Sequence, residues 1–183
     1  RHDGSVAVTV GAHSSIGMRG LKLFGTGEQK ARYYDRLATG EMIAAFCLTE
    51  PGAGSDAASI RTTAVEKDDH FLLNGSKIWI TNGGLADFFT VFAKTGGAEA
   101  RSKLSAFIVT RDLPGVSVGE HEDKMGQRAN PTASAYFEDV KVPKENLLGP
   151  LNGGFKVAMH ILNSGRSGLG GGCVGAMKSL IGL

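Results

Sequence analysis

The period of apolar positions changes twice along this chain. Residues 4–24 mix alanine, valine, isoleucine and leucine with glycines at helix-ending positions, which predicts one or two packed helices. Thr26 is followed three residues later by Gln29, a capping box in which side chains satisfy the free N–H groups of a helix start. Ala31, Tyr34 and Leu37 continue at helical spacing, and Gly40 closes the helix. After Glu41 the pattern tightens. Residues 43–49 form a compact apolar run that meets Glu50-Pro51-Gly52, as a buried strand does on reaching a turn. Further strands are predicted at 60–66, 70–74, 76–81, 88–94, 104–110, 115–119 and 134–142. Asp68-Asp69, Asn74-Gly75, Asn82-Gly83-Gly84, Pro114-Gly115 and Glu138-Asp139 punctuate them. Asn-Gly between two strand runs predicts a hairpin. After Pro143 the helical period returns, with Phe155, Ala158, Met159 and Leu162 along one face.

Helix, many short strands, helix: this order predicts an α+β chain whose middle is an antiparallel β-barrel or sandwich flanked by helices. The expected division is residues 1–42 as the end of one helical domain, 43–150 as the β-domain and 151–183 as the start of another helical domain. The chain begins at Arg1 and stops at Leu183 inside a helix-like pattern, so both ends read as cuts through a longer protein.

Composition changes this picture little. With 183 residues, 42% hydrophobic and 21% charged, the chain can bury a core without staples. The net charge is +2 and its lysines and arginines are scattered, which speaks against nucleic acid as a partner. The apolar runs fall short of a membrane span. Cys47 and Cys173 stand far apart in apolar surroundings, which fits a reducing compartment. His2, His13, His70, His121 and His160 lack the spacing of metal ligands, so no metal site is expected. Gly170, Gly172 and Gly175 spell a dinucleotide-loop pattern, but a helix and not a strand precedes them. They read as a site of close helix packing.

Three segments could carry chemistry. In the run from Phe46 to Asp56 an apolar strand enters a loop with Gly52 and Gly54, whose backbone N–H groups can approach an electron-rich edge or a phosphate. Thr49 and Ser55 add hydroxyls there. A plain tight turn explains the same residues. In Lys77-Ile78-Trp79-Ile80-Thr81-Asn82-Gly83, strand alternation sets Trp79 and Thr81 on one face and Ile78 and Ile80 on the other. An aromatic plane beside a hydroxyl suits a flat heteroaromatic ligand, although a core tryptophan is the commoner outcome. In Asn163-Ser164-Gly165-Arg166 the arginine suits a phosphate or an adenine, or equally a helix C-terminus.

Taken together and in this order, these segments resemble the acyl-CoA dehydrogenase family. Lys124-Met125-Gly126, Phe137-Glu138-Asp139-Val140-Lys141-Val142-Pro143 and Gly154-Phe155-Lys156-Val157-Ala158-Met159 extend the resemblance over nearly the whole chain. Ser55 to Arg61, Gly84-Leu85-Ala86-Asp87 and Phe92 to Thr95 are similar to the very-long-chain branch and to its relative associated with assembly of respiratory complex I. The resemblance implies FAD as cofactor, contacted by Phe46, Leu48, Thr49, Gly54, Ser55, Trp79, Ile80 and Thr81. Ser55, Asn163, Gly165 and Arg166 would contact the fatty acyl-CoA substrate. It further implies α,β-dehydrogenation to the enoyl-CoA in mitochondrial β-oxidation, and electron-transferring flavoprotein as acceptor. A homodimer and peripheral membrane association of the whole protein are also implied. The alternative it leaves is a flavin-fold assembly factor. The family's glutamate base lies beyond Leu183 in most members and at the position of Gly165 in a minority, so this chain is expected to hold no catalytic base and to be inactive alone.

Overall fold

The computed structural model describes residues 4–96 and 103–182, and His2 lies outside them. Helix α1 (Gly4–Ala12) runs into a π-helical turn (His13–Gly17), then α2 (Arg19–Phe24) and α3 (Gly27–Thr39). Eight strands follow: β1 (Ala44–Cys47), β2 (Thr63–Glu66), β3 (His70–Thr81), β4 (Phe88–Lys94), β5 (Leu104–Thr110), β6 (Val116–His121), β7 (Thr132–Pro143) and β8 (Leu147–Leu148). A long helix, α4 (Gly154–Leu180), completes the order helix, sheet, helix. No helix among the described residues is long and apolar enough to cross a membrane.

Both predicted caps of α3 are present. The Gln29 N–H donates to Thr26 Oγ1 and the Thr26 N–H to Gln29 Oε1, while Gly40 closes the helix at φ 78°. The buried face differs from the predicted one. It is Gln29, Tyr33 and Leu37, whereas Ala31 is exposed and Tyr34 half-buried. Gln29 faces inward because its amide Nε2 donates to the carbonyls of Glu145 and Leu147, fastening α3 to the strand β8 region.

The strands form one sheet in the order β6-β7-β3-β2-β4-β5-β8, with β1 added beside β4. It is mostly antiparallel, but β1 runs parallel to β4, and the sheet is not closed into a barrel. Its residues feed two cores. Phe88 and Phe92 of β4 face the helices, against Leu21, Leu37, Ala158 and Ile161. The alternate residues Phe89, Val91 and Ala93 face an inner core that Phe71, Phe107, Phe137 and Val140 share, with the Phe71 and Phe107 rings 5.0 Å apart. β4 is therefore buried on both faces, which explains its unbroken apolar run.

Two of the expected turns lie inside strands. Asn74-Gly75 is in β3 and Glu138-Asp139 in β7, where the two strands slip register between Leu73 and Gly75. The irregularities pair with each other. Asn74 Nδ2 donates to Asp139 Oδ1 and the Asp139 N–H to Asn74 Oδ1. Gly75, at φ 148°, lies so close to Thr62 that a Cβ would sit 2.5 Å from its hydroxyl. The turn signal was real, but cross-strand bonds turned it into a matched bulge. The glycines Gly170, Gly172 and Gly175 also depart from expectation. They lie in α4, and among the described residues nothing comes within 4 Å of a Cβ built on any of them.

Candidate functional site

A cleft of about 500 Å³ opens where the end of β1, the last turn of β3, α4 and the π-helical turn converge. Phe46, Leu48 and Thr49 come from β1 and its exit, and Gly54, Ser55 and Asp56 from the loop beyond. Trp79, Ile80 and Thr81 form the facing wall. Phe155, Met159, Leu162 and Arg166 descend one side of α4, and Ala12 and Ile16 close the cleft from the N-terminal helices. The stripe predicted on α4 thus divides. Ala158 packs the core, beside Val157 and Ile161, which the predicted stripe left out, while Phe155, Met159 and Leu162 line the cleft.

The wall containing Trp79 is built on a bulge. Lys77 pairs with Ala135 and Ile80 with Ala133, so Ile78 and Trp79 together oppose the single residue Ser134. Strand alternation fails there. Trp79 adopts φ 55°, an uncommon conformation for a bulky residue, and stands 65% exposed. Ile80 and Thr81 line the cleft alongside it, in place of the expected division into two faces. The Ile78 N–H, displaced from the ladder, donates to the Thr49 carbonyl at 3.0 Å.

Beneath this wall lie the two buried charges of the described residues, Lys77 (0% exposed) and Glu50 (6%). Lys77 Nζ donates to Glu50 Oε1 at 2.8 Å and to the Leu48 carbonyl at 3.2 Å. Glu50 also accepts from the N–H groups of Arg61 and Thr62 and from the Thr62 hydroxyl. Burial alone would raise the Glu50 carboxyl, but the Lys77 charge and these hydrogen bonds outweigh it and hold it below the usual range. Burial pushes the Lys77 ammonium down, against the pull of Glu50. Burial also pushes the neighbouring Cys47 thiol up to about 12, which removes it from nucleophilic or redox chemistry near neutral pH.

Of the residues singled out from sequence, Phe46, Leu48, Thr49, Gly54, Ser55, Trp79, Ile80, Thr81 and Arg166 all line this one cleft. Asn163 and Gly165 do not. Asn163 accepts from Arg166 NH1 at 3.4 Å, and Gly165 packs against the π-helical turn, where a Cβ would meet Ile16 Cγ2 at 2.8 Å. Sequence reading missed Ala12 and Ile16, because nothing local marks a π-helical turn as a cleft wall. It passed over the Glu50–Lys77 pair, for which the only signal was a charge at one end of each of two apolar runs.

The chemistry of the lining is specific. Phe46, Leu48 and Ile80 give an apolar floor and Trp79 a flat aromatic wall. Thr49 and Thr81 line the cleft, and their hydroxyls have no hydrogen-bond partner among the described residues. A planar heteroaromatic group with a polar edge fits such a lining, and the described residues contain no cluster suited to a metal ion.

Comparison with known proteins agrees with this reading. Residues 45–140 match the model of the acyl-CoA dehydrogenase middle domain, and residues 1–41 that of the N-terminal domain. A mitochondrial very long-chain specific acyl-CoA dehydrogenase of Bos taurus is 54% identical over 98% of this chain and 28% of its own length. A probable acyl-CoA dehydrogenase of Bacillus subtilis is 48% identical, over 98% of this chain and 30% of its own length. The crystal structure of an acyl-CoA dehydrogenase complexed with FAD from Bacillus anthracis superposes with a TM-score of 0.91 at 49% identity, covering 96% of this chain and 30% of that one. The chain spans under a third of the length of these relatives. On the match of its β-region and on the motifs that line its cleft, the chain belongs to the acyl-CoA dehydrogenase family.

Proposed function

We propose that the cleft holds the ring system of FAD against a fatty acyl-CoA and serves α,β-dehydrogenation of long-chain acyl thioesters. The observation that carries this reading is the meeting, in one apolar cleft, of the Trp79 plane with the unpartnered hydroxyls of Thr49 and Thr81. FAD, when bound, supplies the hydride acceptor. Phe46, Leu48 and Ile80 keep water from the reacting centre, and Thr49 and Thr81 offer hydroxyls to the polar edge of the ring. At the open mouth, Gly54 exposes backbone, and Ser55 and Arg166 are assigned to the CoA portion. Asn163 steadies Arg166 through their 3.4 Å contact. Gly165 lets the turn carrying Ile16 approach α4.

The one carboxylate lining the cleft, Asp56, is already engaged by the Ser59 hydroxyl, and Gly165 has no side chain to accept a proton. No described residue is therefore assigned proton abstraction, and the chain by itself is expected to bind without turnover. The wider reading includes electron-transferring flavoprotein as acceptor, homodimerisation and a mitochondrial location. It rests on the family resemblance and, for location, on the bovine relative. The division at residues 42 and 150 is supported by the end of α3 at Thr39, the start of β1 at Ala44 and the start of α4 at Gly154.

Anaerobic titration of the FAD-loaded protein with palmitoyl-CoA tests this reading. The expected result is a shift of the flavin absorbance bands without bleaching, produced by the thioester and not by free CoA. An unchanged spectrum would overturn the acyl-CoA assignment, and sustained bleaching would overturn the absence of a base.

A further inference from the structure

The two walls of the cleft are not joined by a sheet ladder. β1 pairs only with β4, while β3 pairs with β2 and β7. Thr49 and Trp79 therefore depend on other contacts for their mutual position. Three such contacts run in succession. Lys77 Nζ donates to the Leu48 carbonyl (3.2 Å), the Ile78 N–H to the Thr49 carbonyl (3.0 Å) and Lys77 Nζ to Glu50 Oε1 (2.8 Å). Glu50 is itself fixed from behind by Arg61 and Thr62, so the lysine pulls against an immobile anchor. The same residues begin the bulge that presents Trp79 at φ 55°.

We infer that Lys77 is a positioning residue: buried beneath the cleft, it clamps the exit of β1 to the bulge of β3 and so sets the spacing of Thr49 from Trp79. Replacing both charges with uncharged side chains of similar volume would fill the space with little loss of stability. It would not supply two directed bonds across an unpaired seam. The consequence for ligand binding rests on the flavin reading of the cleft; the clamp itself does not.

The test is the double variant Lys77→Met/Glu50→Gln. Removing both charges leaves no uncompensated ion, and the carbonyl oxygen of the introduced amide still accepts from Thr62; the Arg61 N–H, on an exposed residue, loses its acceptor to the amide NH2 group and turns to water, so the chain folds. Trp79 is the only tryptophan, so its near-ultraviolet circular dichroism and emission anisotropy report that wall directly. The expected result is a melting temperature within about 4 °C of the parent, because relief from burying two charges offsets most of the loss of the Lys77–Leu48, Lys77–Glu50 and Arg61–Glu50 bonds. The Trp79 band should weaken and its anisotropy fall, and the Kd for FAD should rise about tenfold. Val109→Ala in the inner core serves as a control for destabilisation alone, lowering the melting temperature with the Trp79 signals and FAD affinity unchanged. A double variant with the parent's Trp79 band, anisotropy and FAD affinity would overturn the clamp. If the parent chain failed to bind FAD, the flavin reading would fall, and the Trp79 signals would still decide the clamp.

Discussion

β4 and β3 lie in the same sheet and are built on opposite terms. In β4, residues Phe88 to Ala93 are all buried, alternate residues feed two different cores, and the register with β5 is unbroken from Phe88 to Lys94. In β3 the register slips twice, a lysine is wholly buried and a tryptophan stands exposed at positive φ. The regular strand places every side chain by pleat alone. The irregular one gives up ladder bonds so that Trp79, Ile80 and Thr81 can all reach the cleft, and it replaces those bonds with side-chain anchors. One of the two slips in β3, between Lys77 and Ile80, lies where the cleft wall is made, as bulges do beside functional sites in general; the other is the matched bulge of Asn74 and Asp139.

Each strand has its own point of failure. Phe89→Ala in β4 leaves a void between two packed layers and is expected to cost about 3–5 kcal/mol, read as a fall in the urea midpoint with the slope preserved. Lys77→Met alone strands the Glu50 carboxylate in the interior and is expected to cost a comparable amount, about 3–5 kcal/mol. Here the second substitution Glu50→Gln should recover most of the loss, whereas no single polar change should rescue Phe89→Ala. Acid offers a milder route. Because the folded state holds Glu50 below its ordinary 4.5, the folded protein binds fewer protons there than the unfolded chain. The Glu50 contribution is complete above pH 4.5 and is lost as pH falls below it. Melting temperatures from about pH 6 to about pH 3 should fall more steeply for the parent than for Lys77→Met/Glu50→Gln, in which neither charge remains; parallel curves would contradict the assignment. The smallest effect on stability is expected at Trp79→Asn. Asparagine tolerates positive φ, so stability should hold or rise by up to about 1 kcal/mol, while FAD binding is lost.

Much of the fold was legible because apolar period and punctuation agree along most of the chain. The α3 capping box, the buried β4 run and the return of the helical period after Pro143 each follow from local chemistry. Three features were not legible, each for a non-local reason. Asn74-Gly75 has the composition of a hairpin turn, and only the partner bulge at Asp139 keeps the strand running through it. The buried side of α3 is set by Gln29, a polar residue drawn inward by carbonyls more than a hundred positions away. Trp79 breaks strand alternation because Ile78 bonds to Thr49 and not across the ladder. At the cleft, the signature residues of two segments were found from their order along the chain. The π-helical turn that supplies Ile16 and the charge pair beneath the wall required the tertiary structure.

That the exit of β1 and the bulge of β3 form one flavin-binding wall is tested by titration of FAD into the protein with emission read from Trp79. The expected result is quenching that saturates at one FAD per chain and weakens when Thr49 or Thr81 is changed to alanine. Emission that stays constant as FAD is added would contradict it.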